Sequence, residues 1–146
     1  MGAVADVGTY LTAQGLVGGL TGWDLIRRRI MDTPVKDTVV VLMEDGGPPP
    51  EYKPVGGDAE DAFGIGDAAL KDVGVHVLVR AQEWDSDASL AKAQAIFDAL
   101  HGRRGITLGS TMYLRIAAMT PEPIFTGYDE QGRPRHTIAF RLLSGV

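Results

Sequence analysis

The sequence predicts an α+β fold: a mostly antiparallel sheet of five to six strands packed against two helices. Three observations carry that expectation. Residues 73–82, VGVHVLVRAQ, alternate apolar and polar positions and lead through EWDS directly into an amphipathic helical stretch. Residues 38–43, TVVVLM, form a β-branched run that suits a buried strand. Three further strand-like segments follow the helix, joined by connections too short for a crossover, which favours antiparallel pairing and a two-layer sandwich.

Taken in order, residues 3–17 read as the first helix. Val4, Val7, Tyr10, Leu11 and Gln14 recur near a 3.6-residue period and Asp6 sits in the first turn, while Gly8 and Gly15 weaken the pattern and the GLVGG run ends it. Trp23–Met31 (WDLIRRRIM) is expected as a strand, although Arg27, Arg28 and Arg29 interrupt strict alternation and put two cations on one face and one on the other, so that no continuous basic stripe results. Thr33-Pro34 marks a turn before the strand at Thr38–Met43. Residues 44–72 hold four prolines and six glycines in 29 positions and are expected as one long loop, with a short helical turn near Asp67–Lys71. In the next strand Val73, Val75, Val77 and Val79 face one way and His76, Leu78, Arg80 and Gln82 the other.

Asp85 or Ser86 is placed to accept the free amide protons of the second helix, and Asp87 favours its positive end. Its apolar stripe is expected at Leu90, Ala93, Ile96, Phe97 and Leu100. Gly102 closes it, with Arg103 and Arg104 at the negative end and His101 as a further cation there. Met112–Met119 and Ile124–Tyr128 read as strands separated by Thr120-Pro121-Glu122-Pro123. Asp129-Glu130-Gln131-Gly132 is a hairpin turn, and His136–Leu143 is the returning strand with Ile138, Phe140 and Leu142 on one face.

Composition narrows the function classes. A chain of 146 residues fits one domain, residues 1–146, large enough for a core without staples. The absence of cysteine excludes disulfides, thiolate catalysis and Cys-ligated zinc. Apolar runs are far too short for a membrane span, and the N-terminus lacks a secretory pattern, so no membrane partner and a cytosolic site of synthesis are expected. A net charge of −5 argues against a protein that grips duplex phosphates. The acidic excess is local: between Glu44 and Asp72 eight carboxylates face only Lys53 and Lys71.

Motifs for chemistry do not hold together. Gly64-Ile65-Gly66-Asp67-Ala68-Ala69 matches G-x-G-x-x-A, but no strand precedes it to aim a helix at a pyrophosphate. His76, His101 and His136 lack metal-ligand spacing. Ser86 and Ser110 have no sequence relation to a histidine that would make a triad, and His76 and His136 are expected as exposed or interface residues. Asp58, Glu60 and Asp61 offer hard oxygen ligands without the spacing of a calcium loop and read as a solvated acidic segment. No catalytic, cofactor-binding or metal-ligating residue is therefore assigned.

The order of motifs resembles the tail terminator proteins of long-tailed bacteriophages, also labelled minor capsid or neck proteins. The likeness rests on an N-terminal helix ahead of two strands, on VHVLVRAQEWDSDASLAKAQAIFDAL as a strand ending in Arg followed by a helix, on STMYLRIAAM as a strand, and on PEPIFTGYDEQGRPRHTIAFRLL as a closing hairpin with a G-x-D-x-x-G-R turn; it spans about residues 3–143. The resemblance implies a virion subunit without cofactor or turnover. Such subunits are made in the host cytoplasm and form a ring, typically a hexamer, on the tail tube. The ring ends tube polymerisation and offers a joining surface to the head-side connector protein, while genomic DNA passes through its lumen without specific binding. A head-completion or connector protein of the same virion is the nearest alternative, followed by a small cytosolic enzyme or binding module.

A ring requires a heterologous contact between copies. Outward strand residues Arg80, Gln82, Tyr113, Arg115, Arg135, Thr137 and Arg141 are the expected subunit or partner contacts, and Asp58, Glu60 and Asp61 are expected to meet a neighbour's arginines or to line the lumen.

Overall fold

The structure, a computed structural model, describes residues 2–18, 21–27, 37–44 and 70–145. Helix α1 spans Ala3–Ala13 and α2 spans Ser86–Leu100. The strands are β1 (Asp24–Arg27), β2 (Val39–Glu44), β3 (Leu70–Arg80), β4 (Arg104–Leu108), β5 (Thr111–Ala118), β6 (Ile124–Tyr128) and β7 (Pro134–Gly145). Among the described residues these seven form one sheet in the order β1-β2-β3-β7-β5-β4, with β6 also paired to β7. This is the expected α+β fold, with β4 as an additional strand and with β1 and β2 running parallel.

The centre of the sheet is the β3–β7 pair, antiparallel from Leu70↔Gly145 to Arg80↔Arg135. The two-residue period fixes which side chains face the helices. Val73, Val75, Val77 and Val79 stand opposite Leu142, Phe140, Ile138 and His136, and all of these are buried. On β2, Val40 and Leu42 extend the same apolar surface. Helix α2 covers it with Ala93, Ile96, Phe97 and Leu100, and Phe97 meets Phe140 with ring centroids 6.4 Å apart. Burying each such side chain contributes roughly 1.5–3 kcal/mol. Leu90, expected in this stripe, is instead exposed, because the helical period that buries 93, 96, 97 and 100 puts Ser89, not Leu90, in the covered position.

Helix α1 ends at Ala13, earlier than the expected residue 17, and leaves Gln14 exposed. Val4, Val7 and Leu11 enter the core, while Gly8 lies against Leu25 and the Arg27 guanidinium of β1. Tyr10 Oη donates to Ala99 O at 3.3 Å and joins the two helices. Asp85 caps α2 by accepting from the Ala88 N–H at 3.1 Å. His101, expected as a C-terminal cation, uses Nδ1 as an acceptor for the Ala118 N–H at 2.9 Å and stacks on Phe97, so the ring serves as a packing and hydrogen-bonding group.

Strands β5 and β6 share one edge of β7 end to end. β5 pairs with 140–144 and β6 with 134–137, and the Thr120–Pro123 connection passes between them. Both are bulged, between Tyr113 and Arg115 and between Phe125 and Gly127. The G-x-D-x-x-G-R motif is a self-contained turn. Asp129 Oδ1 accepts from Gln131 N and Arg133 N at 2.9 Å each, and Oδ2 accepts from Arg133 Nε at 2.7 Å. Burial opposes ionisation of Asp129, but the backbone and side-chain hydrogen bonds of Arg133, with that of Gln131, outweigh it and hold the carboxyl below its usual range. Arg133 also reaches Asp37 Oδ1 at 3.0 Å, which ties the hairpin to the approach to β2.

Candidate interaction surface

The turn from β3 into α2 and the hairpin from β6 to β7 are stitched together. Ala81 N donates to Pro134 O at 3.1 Å and Trp84 N donates to Gly132 O at 2.9 Å. Trp84 adopts φ 60°, a left-handed conformation that strains a bulky L-residue by roughly 1–2 kcal/mol. With the backbone in that conformation the indole points outward, 68% exposed. Gly132, itself at φ 75°, lies directly beneath it: a Cβ there would stand 3.0 Å from Trp84 Cε2 and Cζ2. The indole N–H donates to Glu83 Oε1 at 2.9 Å.

An aromatic series runs inward from Trp84. Its ring is 5.0 Å from Tyr128, Tyr128 is 5.3 Å from Phe125 in an edge-on arrangement, and Phe125 is 5.2 Å from His136. Phe125 and Tyr128 are 47% and 43% exposed, and Leu90 is exposed beside them. Ser86, Asp87, Leu90, Phe125, Tyr128 and His136 line a shallow groove between the start of α2 and β6. A contiguous exposed aromatic surface of this kind is a candidate for association, since aromatic side chains are enriched where proteins meet.

The floor of the groove is a buried polar pair. Ser89 Oγ lies 2.7 Å from His136 Nδ1 and donates to Val79 O at 3.3 Å, so both groups are satisfied when Nδ1 carries the imidazole proton. Burial pushes the His136 pKa down and favours the neutral ring. His136 was expected as an exposed or interface residue; it is buried, because its even position on β7 puts it on the same face as Ile138, Phe140 and Leu142. Ser89 is fully buried on the covered face of α2. Neither Ser86 nor Ser110 makes this pairing.

The outward residues expected from the sequence do not form one surface. Arg80 is buried and its Nε donates to Asp37 O at 3.1 Å. Tyr113 is buried and its Oη donates to Asp6 Oδ2 at 2.7 Å. Both are corrections. The second face of β3 is covered at Arg80, and the bulge in β5 leaves Tyr113 on the α1 side. Arg135 and Thr137 are half-buried, and Arg135 Nε has no hydrogen-bond partner among the described residues. Arg141 makes a two-pronged pair with Asp72, at 3.0 Å to each oxygen, inside the same chain. Gln82 and Arg115 are exposed as expected. Asp58, Glu60, Asp61, Arg28 and Arg29 lie outside the described residues, as does most of the 44–72 segment; its last residues, 70–72, belong to β3.

A second exposed surface lies on β4 and β5. Met112 is 54% exposed, Leu114 is also exposed, and Arg104 stands opposite Arg115 across the two strands. Among the described residues, no group of three or more histidines or carboxylates is placed to hold a metal ion, and no helix is long and apolar enough to cross a membrane.

No protein-family model matches the chain, and no curated protein matches it. Among solved structures it is similar to a chain of "Virion of native gene transfer agent (GTA) particle", with 18% identity, 100% of each chain covered and a TM-score of 0.54. The two share a fold. The relationship is remote in sequence, and the alignment spans both chains.

Proposed function

We propose that this chain is a structural virion subunit of a tailed-phage-like particle. It forms a ring, of six copies, on the end of the tail tube, stops tube polymerisation and presents a joining surface to the head-side connector, with DNA passing through the lumen. The observation that carries this reading is the fold shared over the full length with a chain of a gene transfer agent virion. The aromatic surface around Trp84 supports it, because a subunit that works by fitting against its neighbours must leave apolar surface uncovered in the single chain. In this role the chain performs no turnover and needs no cofactor.

Electron microscopy of tails assembled with and without the protein tests the reading. Tubes of unregulated length in its absence, and a ring at the head-proximal end in its presence, are the expected result. Normal capped tails in its absence would reject tube termination, and density on filled heads instead of tubes would assign the chain to the head side of the neck.

A further inference from the structure

The groove at the start of α2 and the β4–β5 surface lie at opposite ends of one helix. Arg103 and Arg104 follow His101 and Gly102 at the C-terminal end of α2, and Arg103 Nε donates to Ala99 O at 3.0 Å, whereas Trp84, Ser86 and Asp87 lie at its N-terminal end. The 15 residues of α2 separate the two surfaces by about 22 Å.

Their charges are opposite. Asp87 lines the aromatic groove, Asp85 caps the helix that borders it and Glu83 accepts from the Trp84 indole N–H, and all three carboxylates are exposed. At the other end Arg103, Arg104 and Arg115 are exposed around Met112 and Leu114. Arg104 and Arg115 are cross-strand partners, an arrangement in which like charges repel, and neither carries an ion pair among the described residues. Two guanidinium groups without an ion pair among the described residues, beside exposed apolar side chains, fit an acidic, apolar partner surface, and the same chain carries one.

We propose that the Arg104/Arg115–Met112–Leu114 surface of one copy docks into the acid-rimmed groove of Trp84, Leu90, Phe125 and Tyr128 on the next copy. The contact is heterologous: each copy offers a different patch to each of its two neighbours, so repetition closes a ring when the rotation permits. The apolar side chains supply the attraction, and the charges set orientation and exclude contact between like ends. The inference rests on the ring reading above and identifies which surfaces make the ring.

The chain has no cysteine, which allows a clean test. Ser86→Cys lies in the groove and Thr107→Cys on exposed β4. Purified particles carrying both substitutions in one chain are treated with a short bis-maleimide. A ladder of covalent multimers is expected, with none from either single variant. Arg104→Glu with Arg115→Glu should abolish the ladder, and adding Glu83→Arg with Asp87→Arg should restore it. Particles that contain the doubly substituted chain and still control tube length, yet give no ladder or cross-link it to a different polypeptide, would overturn the docking while leaving the ring reading in place. Particles that lack the chain altogether would overturn both.

Discussion

The Tyr113 hydroxyl donates to Asp6 Oδ2 at 2.7 Å, joining the first helix to β5 across 107 residues of sequence. Both side chains are buried, and Asp6 Oδ1 has no hydrogen-bond partner among the described residues. Burial, and then the Asp6 hydrogen bond, push the tyrosine pKa well up, so the phenol stays a proton donor. Tyr113→Phe removes the donor and should destabilise the fold by about 2–3 kcal/mol, as read by urea unfolding. Combining it with Asp6→Ala should cost less than the two single changes together, with a coupling of about 1–2 kcal/mol. Strict additivity would mean that the bond contributes nothing to holding α1.

Gly109, in the β4–β5 turn, has φ 62°, and a Cβ built there falls onto the Asp6 carboxylate. Gly109→Ala should cost about 1–2 kcal/mol for the left-handed backbone, and more for the displaced Asp6. Gly105→Ala is the control, since φ is 58° there and the nearest atom, Met112 Cε, stands 4.0 Å away. Thermal unfolding of the two variants should therefore place Gly109→Ala clearly below Gly105→Ala, and equal melting temperatures would contradict the predicted contact.

Trp84 combines a strained backbone with an exposed indole. Glycine relieves the strain, so Trp84→Gly should alter the stability of the single chain by no more than about 1 kcal/mol, because relief and lost ring contacts oppose each other. Incorporation into particles should nevertheless fall at least tenfold, counted by quantitative mass spectrometry of purified virions. Wild-type incorporation would remove the indole from the assembly contact.

The depressed pKa of His136 makes stability depend on pH in a defined direction. The unfolded chain takes up a proton near the ordinary histidine value of 6.5, whereas the buried ring resists it. The unfolded state therefore binds more protons below that pH. The contribution is complete above about pH 6.5 and is lost as pH falls through that value toward the lower folded pKa. The urea midpoint should drop between pH 7.5 and 5.5 in the wild type, and His136→Gln should flatten that slope. An unchanged slope would assign the dependence to other groups.

Much of the scaffold was readable from local patterns. The valine alternation of β3, the Asp85 cap and the turn closed by Asp129 and Arg133 each depend on neighbours within a few residues, and each forms as its pattern predicts. His136 was readable too: its parity with Ile138 gave the buried face, and the histidine's polarity obscured it. The aromatic surface was less legible. Trp84, Phe125 and Tyr128 stand 41 or more positions apart from Trp84 onward, and no period connects a turn residue to a bulged strand.

By itself the sequence determined the two helices, the strands other than β4, where the hairpin turns and which side of β3 is apolar, because backbone periods of 2 and 3.6 residues write those choices into adjacent positions. Tertiary structure alone decided that Tyr113 and Arg80 are buried, that β5 and β6 line up along one edge of β7, and that Arg104 faces Arg115. Those outcomes follow from strand register and two bulges. Register is set by how distant faces pack together, and a single inserted residue reverses the direction of every side chain beyond it.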